Sequence, residues 1–236
     1  MNLFAQRLRL DGAAPVVTYY DDSTGERVEL SGVTFDNWVA KTANFMRDEL
    51  LVEDGAVVQV DLPLHWQALV WMQAAWTAGA VVEIGTHTGD VPPAVTVSTP
   101  DRMAQALGDE RVALSLRPLG LPCQDELPAG VHDYATSVPG HGDRFQAHPC
   151  PIEGAALVVG NAITNHGALL AAADFVGLTH GQRILRVGGL ANLDDVIQGW
   201  VAPISVQGSI VVVNGAADPG RLERIAADEQ ISAPSR

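Results

Sequence analysis

The chain has 236 residues and carries 28 acidic against 14 basic side chains, a net charge of −14. Such a surface repels phosphate backbones and anionic lipid, which excludes nucleic acid and membrane surfaces as partners. With 47% apolar residues the chain is globular, long enough for one large domain or two small ones.

In chain order, residues 1–10 have the pattern of a short amphipathic helix. "PVVTYYD" and "RVELS" read as strands around the turn "DSTGE". In "TFDNWVAKTANFMRDELL", Phe35, Trp38, Val39, Met46 and Leu50 recur at helical spacing, with Thr34 placed as the cap. "AVVQVDLP" is a valine-rich strand, and Leu64 to Ala78 is an apolar helix closed by Gly79. Its tryptophans, Trp66, Trp71 and Trp76, are five apart and do not share one face, so core packing is their default reading. "AVVEIG", "PAVTVST" and "RVALSLRP" are further strands, with "PDRMAQALG" a short helix opened by Thr99 or Asp101.

Residues 118–151 hold six of the 14 prolines and read as a connecting segment. Beyond it come the strand "AALVVG", a tight glycine-containing loop, and a helix from Thr164 or Asn165. "RILRVGG", "NLDDVIQGWV", "SIVVVNG" and "DPGRLERIAADE" continue as strand, helix, strand and helix. This alternation predicts an α/β fold, a mostly parallel sheet flanked by helices. The expectation is a single domain over 1–236, with subdomains 1–117 and 152–236 joined by 118–151.

Cys123 and Cys150 show no disulfide-framework spacing, and the N-terminal stretch has no apolar run before a cleavage site. The longest apolar stretch, "ALVWMQAAWTAGAVV", contains Gln73 and is too short to span a bilayer. These features predict a soluble, cytoplasmic protein.

Three stretches resemble the N-terminal domain of the adenylate-forming superfamily, which includes acyl-CoA synthetases and luciferases. They are "GERVELSGVTFDNWVAKTANFMRDEL", "DGAVVQVDLPLHWQALVWMQAAWTAGAVVEI" and "ITNHGALLAAADFVGLTHGQRILRVGGLANLDDVIQGWVAPISVQGSIVVV", in the family's order and over most of the chain. The resemblance implies the fold of the first part of that domain. It also implies a Ser/Thr/Gly-rich phosphate loop ending in Pro-Lys-Gly between the "AALVV" strand and the next helix. Here that interval is only "GNAI". Such a loop works because successive glycines let backbone N–H groups converge on phosphates while a lysine adds charge. Gly160 stands alone, and Lys41 is the only lysine in the chain. The family's later nucleotide-binding motifs and the catalytic lysine of its small C-terminal domain have no counterpart. At the family's acyl-pocket position stand Asn192 and Leu193.

The expectation is therefore a catalytically incomplete relative, a pseudoenzyme or a module binding a small molecule or partner, with no catalytic residue and no cofactor. A residual anion site is drawn at Gly160, Asn161, Thr164, Asn165 and His166, where a helix start offers free N–H groups. The plainer reading of those residues is a helix cap. The alternative function is another kind of enzyme, with a metal held by His132, His141, His148 and Cys150. Their spacing fits no standard ligand pair, which favours a solvated connection. Asp194 and Asp195 read as helix-dipole partners. A third reading is a structural subunit of a homo-oligomer, completed across an open sheet edge.

Overall fold

The computed structural model describes residues 3–215 and 218–232. The chain opens with α1 (Leu3–Asp11), β1 (Pro15–Asp21), β2 (Glu26–Ser31) and α2 (Gly32–Asp48). Then come β3 (Val57–Asp61), α3 (Trp66–Thr77), β4 (Val81–Ile84), β5 (Val95–Ser98) and β6 (Glu110–Ala113). The proline-rich segment contains β7 (Val131–Asp133) and α4 (Tyr134–Ser137). After it lie β8 (Ala155–Val159), β9 (Ala162–Asn165), α5 (His166–Asp174) and β10 (Arg183–Val187). The chain closes with α6 (Leu193–Val196), a π-helical turn over Ile197–Val201, α7 (Ala202–Ser205), β11 (Ser209–Asn214) and α8 (Pro219–Asp228).

Among the described residues the strands form two sheets. The larger has seven, in the order β7-β6-β5-β3-β4-β8-β9, all parallel except the last hairpin. The smaller has four, in the order β10-β11-β1-β2, with β2 antiparallel. The α/β class and the mostly parallel pairing agree with the sequence reading. Two details differ from it. The segment 118–151 supplies a strand, β7, pairing with β6, so it is more than a connection. The interval after β8 is no loop before a helix but a hairpin into β9.

The core lies between the sheets. α3 is buried from Trp66 to Trp76, which follows from its being apolar on every side. One apolar cluster joins Val17 and Ile210 of the smaller sheet, Phe35 of α2, Trp71 of α3 and Val58, Val82 and Leu157 of the larger sheet. Phe4, Phe35 and Trp200 meet as an aromatic group, with ring centroids 5.1 and 4.8 Å apart along that path. Two tryptophans also satisfy their N–H across the core: Trp76 donates to the Ala156 carbonyl at 2.8 Å, and Trp200 to Gln73 Oε1 at 3.2 Å. A smaller cluster, Leu185, Val211, Val213 and Ile225, packs α8 on the other face of the small sheet. Ser31, rather than Thr34, caps α2, its hydroxyl accepting from the Thr34 N–H at 3.2 Å. Among the described residues no helix is long and apolar enough to cross a membrane.

Candidate functional site

The interval "GNAI" is where the resemblance calls for a phosphate loop. The structure makes it a two-residue hairpin turn, Gly160–Asn161, with Val159 and Ala162 paired on either side. Gly160 has φ +57°, the left-handed value that a turn of this type needs at its first central residue. Asn161 Oδ1 accepts from the Thr88 hydroxyl at 2.8 Å. The other candidate anion-site residues lie at the far end of β9. There Asn165 caps α5, its Oδ1 accepting from the Ala168 N–H at 2.7 Å. The His166 N–H donates to the Gly154 carbonyl and the Gly167 N–H to the Ile152 carbonyl. The first three donors of the helix are thus engaged within the chain, and β9 separates Gly160 and Asn161 from them. His166 is buried, its Nδ1 has no hydrogen-bond partner among the described residues, and burial pushes its pKa down to about 4.

The four metal candidates each meet a different partner. His132 Nε2 lies 3.3 Å from Glu110, His141 Nε2 2.9 Å from Glu49, and His148 Nδ1 2.5 Å from Asp54. The Cys150 thiol lies 2.9 Å from the Trp76 carbonyl. Among the described residues no three His, Cys, Asp or Glu side chains gather in a way that would hold a metal. Asp195 pairs with Arg186 at 2.7 Å and accepts the Ala191 N–H, so it holds β10 to the start of α6. Asn192 is the cap of α6. Lys41 is tied to the carbonyls of Pro139 and His141, at 3.1 and 2.5 Å.

A different part of the fold gathers polar groups. The chain runs from β3 through α3 to β4 on one side, then returns to β5 on the other side of β3. Strand order reverses there, and parallel sheets bind ligands in the crevice that such a reversal opens at the strands' carboxyl ends. Val58, Val60, Val82, Ile84, Val95 and Val97 point into the core. Their alternates, Gln59, Asp61, Glu83, Thr96 and Ser98, therefore share the opposite face. A crevice of about 270 Å³ opens over that face, bounded by Gln59, Asp61, His87, Thr96, Arg102 and Leu107.

Its floor is a closed hydrogen-bond set. The Thr96 hydroxyl donates to Gln59 Oε1 at 3.0 Å, Gln59 Nε2 donates to the Gly85 carbonyl at 2.8 Å, and the Gly108 N–H donates to Thr96 at 3.0 Å. On one wall Arg102 pairs with Asp61 at 2.9 Å, and Ser98 donates to the same carboxylate at 3.0 Å. On the other wall both oxygens of the buried Glu83 meet His87 Nδ1, at 2.9 and 3.0 Å. These are the residues that sequence reading passed over. The signal was present: "VVQVD", "VVEI" and "VTVS" each carry a polar residue on the same alternate phase of a valine-rich strand.

No family model matches the chain. The fold is similar to solved adenylate-forming structures. Against an acyl-CoA synthetase of Brucella canis the TM-score is 0.81 at 13% identity, covering 98% of this chain and 46% of that one. Against apo MatB of Rhodopseudomonas palustris it is 0.72 at 16% identity, covering 96% and 47%. Against an acetoacetyl-CoA synthetase of Streptomyces lividans it is 0.72 at 18%, covering 96% and 41%. The chain thus spans about half the length of these structures and has the architecture of the N-terminal part of such enzymes. In sequence it is 38% identical over 235 residues to a TIGR03089 family protein of Mycobacterium tuberculosis (strain ATCC 25618 / H37Rv), covering 95% of this chain and 93% of the relative. On that similarity, over nearly the whole of both chains, the protein belongs to the TIGR03089 family.

Proposed function

We propose that this chain uses an adenylate-forming scaffold to bind a small molecule without adenylating it. The observation that carries the reading is the Gly160–Asn161 turn. A loop that wraps a triphosphate turns several consecutive N–H groups toward one point. A two-residue hairpin instead directs its flanking backbone into strand pairing, and it leaves no length for such a nest. The charge such a loop carries is absent as well, because the one lysine is on α2 and bonded to two carbonyls. The crevice at the strand-order reversal supplies the binding place, with a rigid hydrogen-bonded floor and polar walls.

The test is ATP–pyrophosphate exchange with the purified chain across a panel of carboxylic acids. The expected outcome is no acid-dependent exchange, and calorimetry that detects no ATP binding. Exchange that depends on any acid would overturn the reading.

A further inference from the structure

We infer that the chain has a second binding place, for the phosphate group of a small phosphorylated molecule. It is a cavity at the amino ends of β1, β10 and β11, with Arg7, Arg183 and Ser209 as its donors. It is separate from the crevice of the larger sheet and does not depend on the non-adenylating reading.

The cavity has a volume of about 750 Å³, and the first residues of those strands, Pro15, Arg183 and Ser209, line it together with parts of α1 and the end of α8. Four of the charges around it close on one another. Glu229 pairs with Arg27 at 2.8 Å and with Arg183 at 2.6 Å, and Glu29 pairs with Arg27 at 2.7 Å. Asp11 and Asp228 also line the cavity, but both are exposed to water. Arg7 is left. It is 7% exposed, and its three bonds all go to carbonyls, those of Asp11, Pro15 and Gly208 at 2.5, 3.3 and 3.4 Å. Among the described residues no carboxylate pairs with it. A guanidinium buried this far ordinarily has an anion beside it, because removing its charge from water is costly.

The donors point to the same conclusion. A guanidinium has five N–H groups, so the three bonds of Arg7 leave two without an acceptor. Arg183 bonds the Glu229 carbonyl and carboxylate, Ser209 and Thr18, which leaves one. Because arginine only donates, the Ser209 hydroxyl accepts from it at 3.1 Å, and the hydroxyl's own proton has no acceptor. Ser209 is itself 7% exposed. The two arginines meet adjacent residues, Arg7 at the Gly208 carbonyl and Arg183 at the Ser209 hydroxyl. Donors from α1, β10 and β11 thus line one cavity. A tetrahedral anion accepts from donors that arrive on separate elements, whereas the coplanar oxygens of a carboxylate match a single guanidinium fork. Phosphate therefore suits this set. The cavity equals about 25 waters at their liquid volume, which leaves room for an ester body beside the ion. Leu10, Ala14 and Pro15 give that body an apolar wall. The net charge of −14 repels polyanions, which restricts the ligand to a small one.

The test is a titration of the full chain, labelled with nitrogen-15 arginine, by glycerol 3-phosphate, inorganic phosphate and acetate at constant ionic strength. The readout is the Nε–H signal of Arg7, assigned by its loss in Arg7→Lys. Both phosphates are expected to move it and to saturate at a concentration about tenfold below acetate, the ratio that one further hydrogen bond supplies. The ester should saturate below the free ion. Ser209→Ala removes one donor and keeps the Arg7 signal, so it should raise both phosphate concentrations about tenfold. Arg7→Lys keeps the charge without the fork and should weaken phosphate binding by a similar factor, read by calorimetry. Equal saturation by all three compounds, an unmoved Arg7 signal, or phosphate binding that Ser209→Ala leaves intact overturns the proposal. Equal saturation by the ester and the free ion overturns the organic ligand. Acid-dependent pyrophosphate exchange would instead overturn the non-adenylating reading and leave this titration standing.

Discussion

At the scale of single residues, two buried histidines contribute to the response to acid. His65 is 1% exposed and caps α3, its Nδ1 accepting from the Gln67 N–H at 3.1 Å, with its ring 4.4 Å from that of Tyr19. Burial pushes its pKa down to about 3, and burial pushes that of His166 down to about 4. Unfolded, both titrate at about 6.5. The unfolded chain therefore binds more protons than the folded chain below that value. Their stabilising contribution is complete above pH ~6.5 and is lost as the pH falls toward ~4 and then ~3. Urea midpoints measured across this window should fall steadily. His65→Asn supplies an amide oxygen as capping acceptor in place of Nδ1 while removing one titration, so it should flatten the slope. The same variant should lose roughly 1–3 kcal/mol at neutral pH, because the ring's packing against Tyr19 is gone. Glu229 acts lower in the scale. Burial raises its pKa, but hydrogen bonds from Tyr20, Arg27 and Arg183 outweigh that and hold it below the ordinary glutamate value. Its contribution is present above about pH 4.5 and disappears with further acidification.

At the scale of elements, the β8–β9 hairpin bears most on function. Its first turn residue is left-handed and has nothing within 4 Å of an added Cβ, so Gly160→Ala meets no clash and isolates the backbone cost. The expected loss is about 1–2 kcal/mol, read from urea unfolding. The long valine-rich strands and the amphipathic helices were legible in the sequence because their periods were unambiguous. The hairpin was not, because "AITN" is too short for alternation to separate strand from loop. β7 was hidden for a related reason, since three residues, "VHD", gain strand character only by pairing with β6. The anion-site candidates looked available because free helix donors are the default expectation. What the sequence did not reveal was that the carbonyls of Ile152 and Gly154 fold back onto them. Similarly, Gln59, Glu83 and Thr96 were absorbed into strands read as wholly buried. Their shared face became visible only with the register that pairs Gln59 with Glu83 and with Thr96.

At the scale of the whole molecule, α3 and its neighbours form one apolar body with a sheet on either side. Residues from 1–117 and from 152–236 contribute to the same cluster. Such shared burial couples the sheets, and urea unfolding should give coincident transitions by far-ultraviolet dichroism and by tryptophan fluorescence. The fluorescence is a fair reporter of the centre, because Trp66, Trp71, Trp76 and Trp200 all lie within that cluster. Two separated transitions would show instead that the sheets unfold as independent units. The larger sheet is also bounded at both ends by brief strands, three residues in β7 and four in β9. An edge of four residues offers an incoming strand only about 14 Å of backbone to template on, and short edges are one way that folded chains resist fibril-like growth. The hairpin that stands where a phosphate loop would wrap a nucleotide is thus also a selvedge, a brief finished border that gives an incoming strand little backbone to pair with.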